Sequence, residues 1–263
     1  MSEKTIVSQP FEIRLNEQLI LRGRVKTLED RKEKPVVVAA HGYRGFQDWA
    51  FWPEVTDRLA ENGFFAVSFD FSRVTAKEAG KAEEIVAQAS TVSQELVDID
   101  VILQHVKQKL LPLSAEADVN RIALIGHSRA GSSSLITAAE QPETVQAVVV
   151  WNGGSTPVRG AGQSNATLLQ QLVAEDAEEN KDRFDVLAHF QALKQPALIV
   201  QGSRDNERLL AVNAKLKEAS PDQAYVSIEG ADHVFGVLHP YEGATLHLTE
   251  ALKASVDFLK KVY

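Results

Sequence analysis

The sequence predicts an α/β fold in which a mostly parallel sheet of about eight strands is flanked by helices. One observation behind this prediction is a set of short Val-, Ile-, Phe- and Ala-rich runs that begin at residue 35 and show no polar alternation. Runs of this kind are typical of strands buried on both faces. The other observation is that segments with apolar residues three and four positions apart separate these runs. Strands that alternate with helices predict right-handed crossovers and a doubly wound sheet.

The first two strands are predicted from a hairpin pattern and the others from the apolar runs. FEIRL and LILRGRVKT flank Asn16 and Glu17, and the first of these segments alternates apolar and polar residues. The other strands are predicted at 35–40, 63–71, 121–126, 146–151, 196–202 and 224–230.

Helices are predicted between these strands from the spacing of apolar residues. Residues 48–63 carry Phe51, Val55 and Leu59 four positions apart, and the segment ends at Gly63. SSSLITAAE begins a helix soon after the third apolar run. The remaining long helices are predicted at 93–110, 206–220 and 246–262.

Residues 1–263 are predicted to form a single domain with an insertion at 153–190. The insertion is too long for an ordinary crossover with one helix, and it reads as one or two helices with an acidic stretch at 175–185. Loops of this length in compact domains are usually functional or disordered. We therefore expect a small helical lid over the strand ends, the alternative being a long surface crossover without a role.

Composition excludes several classes of partner and site. The chain has 28 Lys and Arg against 36 Asp and Glu, a net charge of −8, and this balance argues against nucleic acid or an anionic membrane as partner. Without cysteine there is no disulfide, thiolate–zinc site or cysteine nucleophile. No segment has the apolar core of a signal peptide or the roughly 18 apolar residues of a spanning helix. We expect a cytoplasmic protein, and the oligomeric state stays open.

Ser128 is the candidate nucleophile, because it lies in LIGHSRAG where a predicted strand meets a predicted helix. Such a turn strains its central residue and lifts that side chain clear of the sheet. Gly126 and Ala130, two positions to either side, leave the room that the turn needs. The N–H of Arg129 at the helix N-terminus can point at a developing oxyanion. The alternative is that Ser128 is a helix N-cap.

A serine nucleophile needs a general base, and His233 is the candidate. It lies in EGADHVFG just after the 224–230 strand, at a carboxyl end of the sheet. His239 and His247 follow in the same loop region and are the alternative bases. His127 flanks the serine, and there we expect its side chain to point away. The other interpretation of His233 is a loop histidine without a catalytic role.

The base needs an acid that orients it, and Asp205 is the candidate. The strand in PALIVQGSRDNER ends near Gly202, which puts Asp205 at a strand's carboxyl end just before a helix. Helix capping is the alternative role for an aspartate in this position. Asp232 and Glu207 are the alternative acids, and Asp232 is poorly placed because it neighbours His233 in sequence.

A second oxyanion donor is predicted in HGYRGF, which follows the 35–40 strand. Two glycines in five residues let the backbone approach a bound substrate, and the N–H of Tyr43 is the candidate donor. The alternative is a glycine-rich turn without a ligand. The order of the signals adds weight, because serine, acid and then histidine, each after a strand, is the chain order of the α/β-hydrolases.

These motifs resemble those of the α/β-hydrolase superfamily, most closely its dienelactone-hydrolase-like and cinnamoyl or feruloyl esterases. The resemblance spans residues 35–262. It implies an α/β-hydrolase fold with Ser128 as nucleophile, His233 as base and Asp205 as acid, and with Tyr43 and Arg129 as backbone oxyanion donors. The motifs that carry it are HGYRGF (41–46), GHSRAG (126–131), QGSRD (201–205) and GADH (230–233).

The resemblance implies a serine carboxylesterase that acts on a small-molecule ester, including hydroxycinnamoyl or feruloyl esters, and needs no metal or organic cofactor. Dienelactone hydrolases use a cysteine, which this chain lacks, so that activity is not implied. NERLLAV after the acid lacks the Val-Pro often found there. Amidase, thioesterase and lysophospholipase activities would use the same triad. A non-catalytic ligand-binding protein on this fold is an alternative of another class.

Three further residues are candidates for substrate contact, and one loop is a remote metal candidate. Arg44 lies in the glycine turn, and Trp151 ends a strand near the insertion and could line an acyl pocket or belong to the core. Arg73 follows a strand in FDFSR and could meet a carboxylate, although a solvated surface arginine is the simpler interpretation. The metal alternative would use Asp232, His233, His239 and His247.

Overall fold

The structure is a computed structural model that describes residues 5–155 and 166–263, and within them one eight-stranded sheet runs through the molecule. The sheet order is β1-β2-β4-β3-β5-β6-β7-β8. The first two strands pair antiparallel at one edge, and the six others run parallel. The strands are β1 (Ile6–Arg14), β2 (Ile20–Leu28), β3 (Lys34–Ala40), β4 (Phe65–Asp70), β5 (Ala117–His127), β6 (Ala147–Trp151), β7 (Ala197–Gly202) and β8 (Ala224–Ile228). The predicted mostly parallel α/β sheet is therefore confirmed.

Helices cover both faces of this sheet. Buried side chains of the first and last helices pack on one face, and those of the fourth, fifth and seventh helices pack on the other. The helices are α1 (Trp52–Glu61), α2 (Ser72–Glu78), α3 (Glu83–Ala89), α4 (Val92–Lys107), α5 (Arg129–Glu140), α6 (Leu168–Glu179), α7 (Val186–Ala192), α8 (Glu207–Ala219) and α9 (Leu246–Val262). Within the described residues, none of the helices combines the length and the apolar composition that a membrane-spanning segment needs.

The strand β3 shows why the central strands are apolar throughout. Val36, Val38 and Ala40 contribute to the core on one face of the sheet, while Val37 and Ala39 contribute to the core on the other. Successive side chains of a strand point to opposite faces, and here each face is covered by helices. Both sets of positions must therefore be apolar, and the alternation of a half-exposed strand is absent.

The parallel register brings the carboxyl ends of the strands to one edge of the sheet. Ala40 at the end of β3 pairs with Gly126 of β5, and His127 pairs with Trp151 of β6. The glycine turn after β3, the turn after β5 and the loops after β7 and β8 therefore emerge side by side. This edge is where open α/β sheets bind ligands.

The predicted insertion at 153–190 contains two helices of different character, and its residues 156–165 lie outside the described part of the chain. The side chains of Val186 and Phe190 in α7 are buried in the core, as in an ordinary crossover helix. Helix α6 lies against α3 and α4, and Ala177 is its buried residue. Because α7 belongs to the core, the prediction of a lid applies to α6 alone.

Candidate active site

Ser128 sits on a strained turn between β5 and α5. Its backbone has φ 58° and ψ −125°, a combination that residues other than glycine rarely adopt. The N–H of Ser128 donates to the carbonyl oxygen of Trp151 at 2.9 Å, which ties the turn to β6. Although Ser128 is at the N-cap position of α5, its side chain makes no capping hydrogen bond. The alternative interpretation of this serine as a helix cap is therefore wrong.

Small residues around Ser128 are required by close contacts with neighbouring backbone and side-chain atoms. A Cβ atom added at Gly126 would lie 2.4 Å from the carbonyl oxygen of Ala130 and 2.6 Å from Oγ of Ser134. At Gly131 it would lie 2.7 Å from Cγ1 of Val150. These distances are shorter than any real carbon contact, so the sharp turn excludes side chains at both glycines. The turn can form only because the chain is G-x-S-x-A-G here.

Ser128, His233 and Asp205 form one chain of hydrogen bonds. Oγ of Ser128 lies 3.0 Å from Nε2 of His233, and Nδ1 of His233 lies 2.8 Å from Oδ2 of Asp205. Each residue follows a different strand, namely β5, β8 and β7. The structure therefore brings together the three residues that the sequence predicts for nucleophile, base and acid.

The carboxylate of Asp205 is buried and surrounded by donors. One oxygen accepts from Nε2 of Gln201 at 3.0 Å, and the other accepts from the N–H of Asn206 at 2.7 Å and from its side chain. Burial alone would raise the pKa of Asp205, but the hydrogen bonds from His233, Asn206 and Gln201 outweigh it and lower the pKa below its ordinary value. The group is therefore ionised at neutral pH and can hold the Nδ1–H tautomer of His233.

Two residues that the sequence did not reveal hold the His233 loop. His127 points towards the loop, not away from it, and its Nε2 lies 2.8 Å from the carbonyl oxygen of His233. Burial, with the nearby imidazole of His233, lowers the pKa of His127 to about 4, so its ring is neutral and donates here. Asn152 donates to the same carbonyl oxygen at 2.9 Å and accepts from the N–H of Gly202 at 2.7 Å.

The glycine turn after β3 faces Ser128 across a cavity of about 370 Å³. The N–H groups of Tyr43 and Arg129 donate to no acceptor within residues 5–155 and 166–263. Both belong to segments that border Ser128, so both are free to donate to a bound oxygen. The cavity is lined by Gly42, Tyr43, Arg44, Gly45, Trp49, His127, Ser128, His233 and Val234.

The three residues predicted to contact the substrate differ in whether they reach the cavity. Arg44 lines the cavity and is exposed, as a substrate contact must be. Trp151, in contrast, is fully buried, stacks on Trp52 and donates its indole N–H to Ser255. The prediction that Trp151 lines an acyl pocket is therefore wrong, because the β6 residue points into the core beneath α9.

Arg73 is neither a surface arginine nor free to bind a carboxylate substrate. Its guanidinium is buried and donates to Glu95 at 2.8 Å. Arg129 donates to the same carboxylate from Nε and Nη2, so one buried anion holds two arginines. Burial raises the pKa of Glu95, but the two guanidinium groups more than offset this, and the pKa lies below its ordinary value. No pattern in the sequence predicted this cluster.

The side chains of the loop after β8 that were considered as metal ligands make other contacts. Oδ1 of Asp232 accepts from the N–H groups of Val234 and Gly236, and Nδ1 of His239 accepts from the N–H of Ala50. Within the described residues, no group of three or more His, Asp or Glu side chains is arranged to hold a metal ion.

Comparison with solved structures agrees with this fold. Dienelactone hydrolase from Anabaena variabilis ATCC 29413 is 17% identical with a TM-score of 0.69, over 97% of this chain and 98% of that one. Est1E from Butyrivibrio proteoclasticus, solved with bound ferulic acid, is 17% identical with a TM-score of 0.72, over 95% and 98%. Thermogutta terrifontis esterase 2, phosphoramylated by tabun, is 16% identical with a TM-score of 0.73, over 97% and 94%. At these identities the likeness shows the fold alone.

Family membership rests on the sequence. No curated protein matches the chain. Residues 21–263 match the dienelactone hydrolase family, and the matched range contains the turn at Ser128, Asp205 and His233. Because this match spans most of the chain, the protein is a member of the dienelactone hydrolase family and has the α/β-hydrolase fold.

Proposed function

We propose that this protein is a serine hydrolase that cleaves carboxylic esters through an acyl-enzyme on Ser128. The single observation that carries the proposal is the hydrogen-bonded chain from Oγ of Ser128 through His233 to Asp205, at 3.0 and 2.8 Å. The positive φ of Ser128 and the absence of a capping bond support it, because they leave Oγ available to a substrate. A nucleophile, base and orienting acid at these distances have the geometry of acyl transfer.

In the proposed reaction His233 takes the proton of Ser128 as Oγ attacks the ester carbonyl. The N–H groups of Tyr43 and Arg129 receive the oxyanion, and each of these donors is worth on the order of 10²–10³ in turnover. The protonated His233 then gives its proton to the leaving alcohol. Water, activated by His233 in the same way, hydrolyses the acyl-enzyme. The ionised Asp205 stabilises the imidazolium at both stages.

The chemical character of the cavity favours an aromatic or otherwise flat acyl group. Tyr43 and Trp49 contribute rings to the lining, and Arg44 adds an exposed guanidinium at its rim. A ring of the substrate can stack on these side chains. Est1E, which shares the fold, was solved with ferulic acid, and we propose hydroxycinnamoyl esters as substrates of this chain on the combination of these features.

The proposal is tested by esterase assays with a matched pair of serine variants. Ser128→Ala should reduce the hydrolysis of a p-nitrophenyl ester by on the order of 10⁴-fold or more. Ser134→Ala is the control, because this serine lies on α5 and its Oγ has no partner within the described residues. Near-full activity of Ser128→Ala would exclude the proposed role.

A substrate panel distinguishes the activities that share a triad. Matched ester, thioester and amide substrates of one acyl group should be cleaved in favour of the ester. Methyl ferulate and p-nitrophenyl butyrate, measured with the same enzyme, should give a higher kcat/KM for the ferulate after correction for leaving-group reactivity. A preference for the amide or thioester would contradict the carboxylesterase assignment while leaving the triad in place.

A further inference from the structure

A buried ion cluster lies directly behind the glycine turn and is not used by the proposed mechanism. Glu95 on α4 is fully buried, and its Oε2 accepts from Nη1 of Arg73 at 2.8 Å and from Nη2 of Arg129 at 2.5 Å. Its other oxygen accepts from Oγ of Ser133 at 2.7 Å. Both carboxylate oxygens are thus satisfied, and Glu95 holds both guanidinium groups, with Nη1 of Arg129 also donating to the carbonyl oxygen of Ser90 at 3.0 Å.

The two arginines contact the segment that carries a proposed oxyanion donor. Nη2 of Arg73 lies 3.3 Å from the carbonyl oxygen of Gly42, and its Nε lies 3.3 Å from that of Tyr43. The guanidinium carbon of Arg129 lies 4.1 Å from the centre of the Tyr43 ring, within the range of a cation–π contact. Glu95 is therefore linked to the glycine turn in two ways. Arg73 connects it to the backbone carbonyls of the turn, and Arg129 connects it to the ring of Tyr43.

The contacts with the carbonyl oxygen of Gly42 also determine the direction in which the N–H of Tyr43 points. The carbonyl of Gly42 and the N–H of Tyr43 belong to one planar trans peptide and point in opposite directions. The carbonyl oxygen is also held by the N–H of Gly45 at 3.0 Å and by Nδ1 of His41 at 2.8 Å. With the carbonyl held on the side of Arg73, the N–H must face the other way. The cavity that contains Ser128 borders the same segment.

We propose that Glu95 is a positioning residue for the oxyanion hole, acting through Arg73 and Arg129 to fix the peptide between Gly42 and Tyr43. The inference rests on the proposed function of Ser128. Burial lowers the pKa of Arg73 to about 10, which still leaves this group charged at neutral pH.

A purely structural role is the competing explanation, because buried ion pairs are weak evidence for function and costly to break. The two roles differ in what they change. A structural defect reduces the amount of folded enzyme, whereas a displaced oxyanion donor weakens binding of the transition state in enzyme that is folded. Phenylboronic acid serves as the probe, because it forms a tetrahedral adduct with a serine Oγ and so imitates the charged intermediate.

The test compares Glu95→Gln with Glu116→Gln. Glu116 is also largely buried and accepts from Lys34 at 2.7 Å, but it precedes β5 and so lies at the opposite end of this strand from Ser128. For Glu95→Gln we expect kcat on a p-nitrophenyl ester to fall roughly 10- to 100-fold, since the donor is displaced but not removed. The inhibition constant of phenylboronic acid should rise by the same factor, and KM should change less than about threefold. Glu116→Gln should change none of the three.

Two results would overturn the proposal. One is a Glu95→Gln enzyme whose kcat and boronate affinity match those of Glu116→Gln per folded molecule, as counted by active-site titration. The other concerns Arg73→Lys, which keeps the charge but cannot reach both carbonyl oxygens, and which replaces Glu95→Gln if that variant does not fold. Unchanged kcat and boronate affinity in Arg73→Lys would exclude positioning through Arg73. Loss of the proposed function itself is distinct, because wild-type enzyme would then neither bind phenylboronic acid nor depend on Ser128.

Discussion

The backbone of Ser128 combines strain with exposure. A positive φ at a residue other than glycine costs on the order of 1–3 kcal/mol, and such residues persist only where their surroundings hold them. Here the surroundings are the bond from the Ser128 N–H to Trp151 and the close packing at Gly126. The strain directs Oγ towards His233 and away from the helix N-terminus, where the N–H of Arg129 stays free for a substrate oxygen.

The proposed role of Asp205 predicts that its replacement by asparagine reduces kcat. Asp205→Asn would present an amide to Nδ1 of His233, which favours the wrong tautomer, and it would remove the charge that stabilises the imidazolium. We expect kcat to fall on the order of 10⁴-fold with the fold intact. Steady-state kinetics together with circular dichroism of the variant check this expectation.

Asp232→Asn is the matched control for that variant. Asp232 adjoins His233, but its carboxylate accepts from the N–H groups of Val234 and Gly236, which an asparagine oxygen can also do. Its activity should stay within a few-fold of wild type, on the order of the effect of an ordinary surface change. A larger loss in Asp232→Asn than in Asp205→Asn would exchange the roles of the two carboxylates.

The sequence could predict Ser128, Asp205 and His233 because each follows a strand, where local pattern and position coincide. It could not predict His127 or Asn152, whose contacts with the His233 loop join residues about 80 to 106 positions apart. Such contacts depend on how strands are ordered in the sheet, and no local pattern records this. The prediction for Trp151 was wrong for a different reason. A local pattern shows where a strand ends, but the face of the sheet to which its last side chain points is set by the register of the strand.

Among the helices, α6 is tied to the N-terminus of α4 by the carboxylate of Asp176. Oδ2 of Asp176 accepts from the N–H groups of Val92 and Ser93 at 2.8 and 3.1 Å, and its Oδ1 accepts from the hydroxyl of Ser93. These donors lie at the free N-terminus of α4, where a negative charge is favourable. Asp176 thus caps a helix other than its own, and that helix carries Glu95.

Asp176→Ala should therefore destabilise the protein by about 0.5–2 kcal/mol, the usual effect of removing a cap. It should also release α6, since the buried apolar contacts of this helix are few. Limited proteolysis should then cut the segment 166–180 faster than in wild type. Glu175→Ala is the control, because Glu175 is exposed on the same helix. Equal stability and equal cleavage in the two variants would remove the anchoring role of Asp176.

Secondary structure was predictable where elements are long or fully apolar. The strands from β3 onward and the helices α1, α4, α8 and α9 match the predicted segments. The helices α2 and α3 were not predicted, because each has seven residues and shows about two turns of apolar pattern. The burial of Glu95 was not predicted although its helix was. A glutamate in an amphipathic helix is expected to face solvent, and only the fold shows that two arginines lie beside it.

On the scale of the whole molecule, two buried histidines make stability depend on pH. Burial lowers the pKa of His41 to about 3 and, with the charge of His233, that of His127 to about 4. An unfolded chain titrates these groups near 6.5. As the pH falls from about 6.5 towards 4, the unfolded chain binds protons that the folded protein excludes, and stability decreases by up to about 1.4 kcal/mol per pH unit for each histidine. Asp98 acts in the opposite sense, because burial raises its pKa to about 6.

The contribution of one histidine can be isolated as a difference in slope. Urea unfolding of wild type and His127→Gln should be measured between pH 7 and pH 4.5. The variant should lose stability less steeply with falling pH, by roughly 1 kcal/mol per unit. Parallel curves for the two proteins would mean that His127 is protonated in the folded state.

Covalent labelling tests most directly whether Ser128 is the nucleophile. The protein should be treated with a fluorophosphonate, digested and mapped by mass spectrometry. We expect one adduct per chain, located on Ser128, which is lost in Ser128→Ala and retained in Ser134→Ala. An adduct on any other residue, or an unlabelled wild-type protein that still hydrolyses p-nitrophenyl esters, would contradict it.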